Sequence, residues 1–164
     1  MKTIYFLILI LSLAILNSCK KQVEYPLEPI LKYDTIRVLQ FSNPIAGQIT
    51  DSVVIDVDFT DGDGNIGVAV DANANDTSNY NFFYTPYILV KGKWEKIIEL
   101  YTKIPNLNSS GKATPLRGKI SADITDAFYL YKKKDTMRVE IYVKDNAGNK
   151  SNVVTSSLFS GLQN

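Results

Sequence analysis

Asp61, Asp63 and Asn65 alternate with Gly62 and Gly64. Oxygen-bearing side chains at every second position can converge on one point when glycines between them allow a tight path. Hard cations such as calcium take about six to eight oxygen ligands, so cation binding is the chemistry this run suggests. It is not an EF-hand loop. Counting from Asp61, the position that needs glycine holds Ile66, and the position that needs a bidentate acid holds Ala72. A non-EF calcium loop stays open, with Asp58 or Asp71 to complete it. Asp-Gly-Asp-Gly-Asn is also the composition of an ordinary solvated turn, and the sequence leaves both readings standing.

Cys19 is the second residue with chemistry to do, and it is the chain's only cysteine. A lone thiol in an exported protein has no internal disulfide partner. Export is expected from the start of the chain. Met1-Lys2-Thr3 is basic, and Ile4 to Leu16 is apolar apart from Ser12. That run is short of the roughly 20 residues of a membrane span and suits the core of a signal peptide. Leu16-Asn17-Ser18-Cys19 resembles the lipobox of bacterial lipoproteins. The resemblance implies cleavage before Cys19 and acylation of it, hence a membrane anchor.

Other chemistries are absent from the composition. The chain has no histidine, which removes Ser-His-Asp and Cys-His catalysis and histidine-held zinc. Gly62, Gly64 and Gly67 imitate a phosphate loop but sit among acids, which repel phosphate. Asp56 and Asp58 are a carboxylate pair on one strand face, the minimum for cleaving a sugar, yet outward acids on a strand ordinarily just solvate it. No enzyme is expected. Lys and Arg total 18 against 17 acids. Loss of residues 1–18 removes Lys2 alone, leaving 17 against 17, a net charge near zero that gives no electrostatic footprint for nucleic acid and argues against strong attraction to anionic lipid surfaces.

The elements that must position these groups read as strands. Val53, Ile55, Val57 and Phe59 share one face while Asp56 and Asp58 share the other. Arg138–Lys144 alternates with Val139, Ile141 and Val143 inward, and Leu116–Ile124 with Ile120, Ala122 and Ile124 inward. Tyr33–Phe41 looks extended, with a change of parity at Val38–Leu39 that predicts a bulge. Phe82–Val90 is apolar enough for burial on both faces, and Pro86 predicts an edge or bulge there. Lys91-Gly92-Lys93 predicts a hairpin into Trp94–Tyr101. Asp145-Asn146-Ala147-Gly148-Asn149 predicts a turn into Asn152–Phe159. Asp126–Lys133 has room for one helical turn. These seven strands predict an all-β chain, a single immunoglobulin-like antiparallel β-sandwich. The organisation expected is a signal peptide over 1–18, a lipid-anchored tether over 19–32, the sandwich over 33–160 and a tail over 161–164.

Asp58-Phe59-Thr60-Asp61-Gly62-Asp63-Gly64-Asn65-Ile66-Gly67 and Val143-Lys144-Asp145-Asn146-Ala147-Gly148-Asn149-Lys150-Ser151 resemble pieces of immunoglobulin-like or cadherin-like domains in lipoproteins of Bacteroidota. The resemblance implies an outer-membrane lipoprotein of the cell envelope, facing either the periplasm or the outside. In such a sandwich the second and sixth strands run the same way, so their following loops share a pole. Asp145 and Asn146 are then expected beside Asp61, Asp63 and Asn65, and the calcium ligand set becomes Asp58, Asp61, Asp63, Asn65 and Asp145. The tether should leave from that same pole.

Ten tyrosines and Trp94 offer a route to recognition. Tyr80, Phe82, Phe83, Tyr84 and Tyr87 cluster, as do Tyr129 and Tyr131. Such rings either fill a small core or, when exposed, stack on sugars or anchor a protein. Trp94, at a strand start, is the ring expected outside the core. The function expected is a lipid-anchored, non-catalytic binding or accessory module with an unidentified glycan or protein partner. A structural subunit of a larger uptake, adhesion or secretion assembly is the alternative, and a carboxylate-based hydrolase the weaker one.

Overall fold

The structure, a computed structural model, describes residues 24–43, 48–68, 79–108, 110–125 and 134–160. Strands β1 (Ile30–Asn43), β2 (Gln48–Asp61) and β6 (Leu116–Asp123) form one antiparallel sheet in the order β1-β2-β6. Strands β3 (Phe82–Val90), β4 (Lys93–Lys96), β7 (Thr136–Val143) and β8 (Val154–Thr155) form the other, in the order β4-β3-β7-β8. Two short strands complete it: β5 (Leu100–Thr102) beside β3, and β9 (Phe159–Ser160) beside β7. The two sheets make an open all-β sandwich, not a closed barrel.

The core lies where the alternating patterns meet. β2 contributes Val53, Ile55, Val57 and Phe59, and β6 adds Ile120 and Ala122. Phe82 and Tyr84 come from β3, and Met137, Val139, Ile141 and Val143 from β7. All are buried, so two period-two strands from each sheet set the core.

The expected strands are all present, and two of them are split. Trp94–Tyr101 divides into β4 and β5, and Asn152–Phe159 into β8 and β9. Pro86 explains the first split and corrects its own expected position. β3 is an interior strand, between β4 and β5 on one side and β7 on the other. Opposite Pro86, Val139 donates its amide to Ser156 Oγ and accepts from the Ser156 amide, both at 2.9 Å. Its bonding groups therefore face β8, and no proline amide is needed on that side. On the other side the ladder parts between Lys96 and Leu100, where Ile97 N still reaches Pro86 O at 3.0 Å. The missing amide falls in that gap.

The bulge in β1 also moves. It lies at Asp34, since Tyr33 pairs with Val57 and Thr35 with Asp56, while Val38 and Leu39 pair regularly with Val53 and Ser52. Asp34 is the extra residue, and its carboxylate meets Lys119 of β6. The ordered sandwich reaches further toward the N-terminus than the expected boundary at residue 33. Pro29 is buried, and Gly62 N donates to Pro26 O at 2.8 Å. Residues 1–23 with Cys19, Asp71 and most of the segment between Gly67 and Asn81, Asp126–Lys133 with Tyr129 and Tyr131, and residues 161–164 lie outside the described residues.

Candidate metal centre

β2 ends at Asp61, which pairs with Leu116 and continues the inward face of Val57 and Phe59. Five residues on, Ile66 is fully buried and pulls the chain back over the core. Its amide donates to Asp61 Oδ2 at 3.0 Å. Gly62 and Gly64 are needed for close approach. A Cβ on Gly62 would lie 2.4 Å from Tyr25 O, and one on Gly64, at φ 67°, 2.2 Å from Thr114 O. Backbone therefore walls the loop on two sides, by Tyr25 and Pro26 ahead of β1 and by the segment before β6.

The hairpin after β7 comes to the same pole, as the shared direction of β2 and β7 requires. Gly148, at φ 87°, closes it through its amide to Asp145 O. The two loops are joined directly. Asn146 N donates to Asn65 O at 3.3 Å, and Asn146 Nδ2 to Gly67 O at 2.8 Å. Oxygens of Asp61, Asp63 and Asp145 come within 4.8 Å of one another. Two ligands on opposite sides of a calcium ion stand about 4.6–5.2 Å apart, twice its bond length, so these three fit one coordination sphere.

The orientation of the carboxylates is built in. Asn149 donates its amide and its Nδ2 to the two oxygens of Asp145, each at 2.8 Å. Asn65 holds Asp63 the same way, at 3.3 and 2.8 Å. Asp61 differs. It is fully buried, and its Oδ1 has no hydrogen-bond partner among the described residues. Asn65 Oδ1 is likewise buried without one. Burial pushes the Asp61 carboxyl up to about 6; the facing charges of Asp63 and Asp145 add to this, and the Ile66 amide opposes it. Three converging acids, one of them with an orphan oxygen, and a second orphan oxygen on Asn65 of the same loop form a set that a hard cation would satisfy.

Four of the five expected ligands thus meet at one pole: Asp61, Asp63, Asn65 and Asp145. Asp58 does not join them. On β2 it alternates with the core residues Val57 and Phe59, so it faces outward, paired in register with Lys32 and Lys119. Asn149 and the Ile66 amide, which aim the carboxylates, were not singled out from the sequence. A turn asparagine and an apolar residue carry no ligand signature. Asp56, the other acid on that outer face, is engaged differently from Asp58. Asp56 is buried and accepts from Arg37 Nε and Nη2, both at 3.1 Å, and from Ser121 Oγ at 2.6 Å.

Trp94 is half-buried on β4 with the Arg138 guanidinium 4.7 Å from its ring centre. Tyr87 shares that guanidinium at 5.1 Å. Along β3 the expected aromatic cluster divides by parity: Phe82 and Tyr84 enter the core, while Phe83 and Tyr87 stay half-buried, as does Tyr80 ahead of the strand. Tyr101 and Tyr142, distant in sequence, join Phe83 from β5 and β7.

No family model matches the chain, and neither a curated protein nor a solved structure does.

Proposed function

We propose that this chain is a lipid-anchored, non-catalytic binding or accessory module of the bacterial envelope whose tether-side pole binds calcium. One observation carries the calcium reading: the buried Oδ1 of Asp61, which has no hydrogen-bond partner among the described residues, in a cluster with the carboxylates of Asp63 and Asp145. Left without a cation, that cluster sets like charges against one another around a buried oxygen. The anchoring half rests on the signal-like start and on Leu16-Asn17-Ser18-Cys19. The bond from Gly62 to Pro26 supports a tether that leaves beside the acidic loop. The strand orders β1-β2-β6 and β3-β7-β8 support an immunoglobulin-like relationship, matching the A-B-E and C-F-G orders of that fold.

Calorimetric titration of the mature chain with calcium chloride tests the metal site. Binding heat is expected, with stabilisation of about 2.7 kcal/mol at a hundredfold excess over Kd. Asp61→Asn should remove both. It keeps an oxygen for the Ile66 amide and deletes a repelling charge, so the calcium-free variant should melt at or above the wild-type temperature. Absence of heat and of any melting shift at millimolar calcium sinks the metal reading. Mass spectrometry of the native N-terminal residue tests the anchor separately, and an unmodified Cys19 thiol sinks it.

A further inference from the structure

The outward side of the second sheet is a register of rings. Tyr101, Phe83 and Tyr142 lie side by side on β5, β3 and β7. Phe83 and Tyr142 stack at 4.7 Å with 4° between their planes, and Tyr80 packs on Tyr101 at 4.2 Å. Further along β3, Tyr87 pairs with Arg138, and Leu89 with Trp94. Cations hold these rings. Lys150 Nζ is 3.8 Å from the Tyr142 centre, Lys144 Nζ 5.1 Å from Phe83, and Arg138 spans Tyr87 and Trp94. Tyr101 and Leu89 remain exposed at 50% and 38%.

We infer that this face is a membrane-contact surface for the anionic leaflet beside which the chain is tethered, an inference that rests on the lipid-anchor reading. Rings with an apolar body and a polar edge, interleaved with ammonium groups, suit the headgroup layer. The charge has the right sign: Lys96, Arg138, Lys144 and Lys150 stand against Glu99 and Glu140. Basic groups are drawn to an anionic leaflet over about a Debye length. The tether brings the face there. Asn152, just past Lys150, clamps Leu31 by two bonds, from Leu31 N to Oδ1 at 2.7 Å and from Nδ2 to Leu31 O at 2.9 Å. The hairpin that carries Lys144 and Lys150 is therefore fastened to the chain's exit. From Cys19 to the docked Pro26 the chain spans at most about 25 Å, so an acylated Cys19 keeps that hairpin close to the bilayer.

The test uses the mature chain with Cys19→Ser, which cannot be acylated, and sedimentation with lipid vesicles. It should bind vesicles rich in phosphatidylglycerol and ignore pure phosphatidylcholine, with the bound fraction falling at high salt. Lys144→Gln with Lys150→Gln should lower binding about fivefold or more with the melting temperature retained. Lys32→Gln with Lys119→Gln, on the opposite sheet, should leave binding intact. No binding to phosphatidylglycerol vesicles overturns the inference. So does equal loss in both double variants, or capture of a soluble acidic polysaccharide in place of vesicles. An acylated native protein whose Cys19→Ser form ignores vesicles sinks this surface and spares the anchor. An unacylated native protein that still binds them sinks the anchor and spares the surface.

Discussion

On the outer face of the first sheet, Arg37 closes on Asp56, Lys119 on Asp34, and Ser52 and Thr125 on Asp123. On the outer face of the second, Lys144 and Lys150 close on the rings of Phe83 and Tyr142, while Arg138 lies over the rings of Trp94 and Tyr87 and also pairs with Glu140 at 3.2 Å. A carboxylate partner cancels a cation's field within a few ångströms. A ring quadrupole positions the cation and leaves its charge in place. Cations therefore stitch strands together on one face, while on the other Lys144 and Lys150 keep their positive charge on display.

Removing the partner should separate the two faces most clearly on the first sheet. Asp56→Ala strips Arg37 and Ser121 of their shared acceptor, and Arg37 is 45% exposed against 8% for Asp56. A loss of about 2 kcal/mol is expected, below the range for a fully buried pair. Urea unfolding reads it as a lower midpoint at unchanged slope. Loss within error would mean that the ion pair does not stitch the sheet.

Acid should reach the same face next. Burial raises the Asp56 carboxyl, but bonds from Ser121 and Arg37 outweigh it and hold the group below its ordinary 3.8. Asp123 is likewise held below 3.8, with Thr125 and Ser52 outweighing burial. A depressed carboxyl contributes stability that is complete above pH 3.8 and disappears as pH falls through the lower folded value. Melting temperature should therefore fall in that acid window. Asp56→Asn with Asp123→Asn should flatten the fall, and an unchanged acid limb contradicts the assignment.

Ring substitutions on the second sheet should cost less. Phe83→Ala removes a half-buried ring and its stack on Tyr142, for about 1–2 kcal/mol in urea unfolding. Trp94→Ala takes one ring from a guanidinium that keeps Tyr87 and Glu140, and about 0.5–1 kcal/mol is expected. A Trp94 variant more damaging than Asp56→Ala would reverse the comparison, making the aromatic face the stitched one.

Much of the sandwich was legible because strand alternation is a local property. Val53 to Phe59 and Val139 to Val143 declare their inward faces from residues two apart. Pro86 misled because its cost depends on which side its missing amide faces, and that is set by Ser156 and Ile97, distant in sequence. The bulge was misplaced for a related reason. Parity along β1 cannot tell which residue is skipped until Tyr33 and Thr35 find Val57 and Asp56.

The sequence by itself determined the alternation, the turn chemistry, the solitary cysteine and the oxygen-rich spacing of Asp61, Asp63 and Asn65. Alternation along β2 already turned Asp58 outward, but only tertiary structure decided that Asp61 continues the strand and turns inward, because β6 extends the pairing of β2 as far as Leu116. It also decided that Tyr101, Phe83 and Tyr142 share a row, and it brought Asp145 within reach of Asp61, a meeting the sequence could anticipate only through the expected sandwich. Side-chain direction follows from neighbours along one strand. Which strands meet, and at what register, is settled only when the core closes between them.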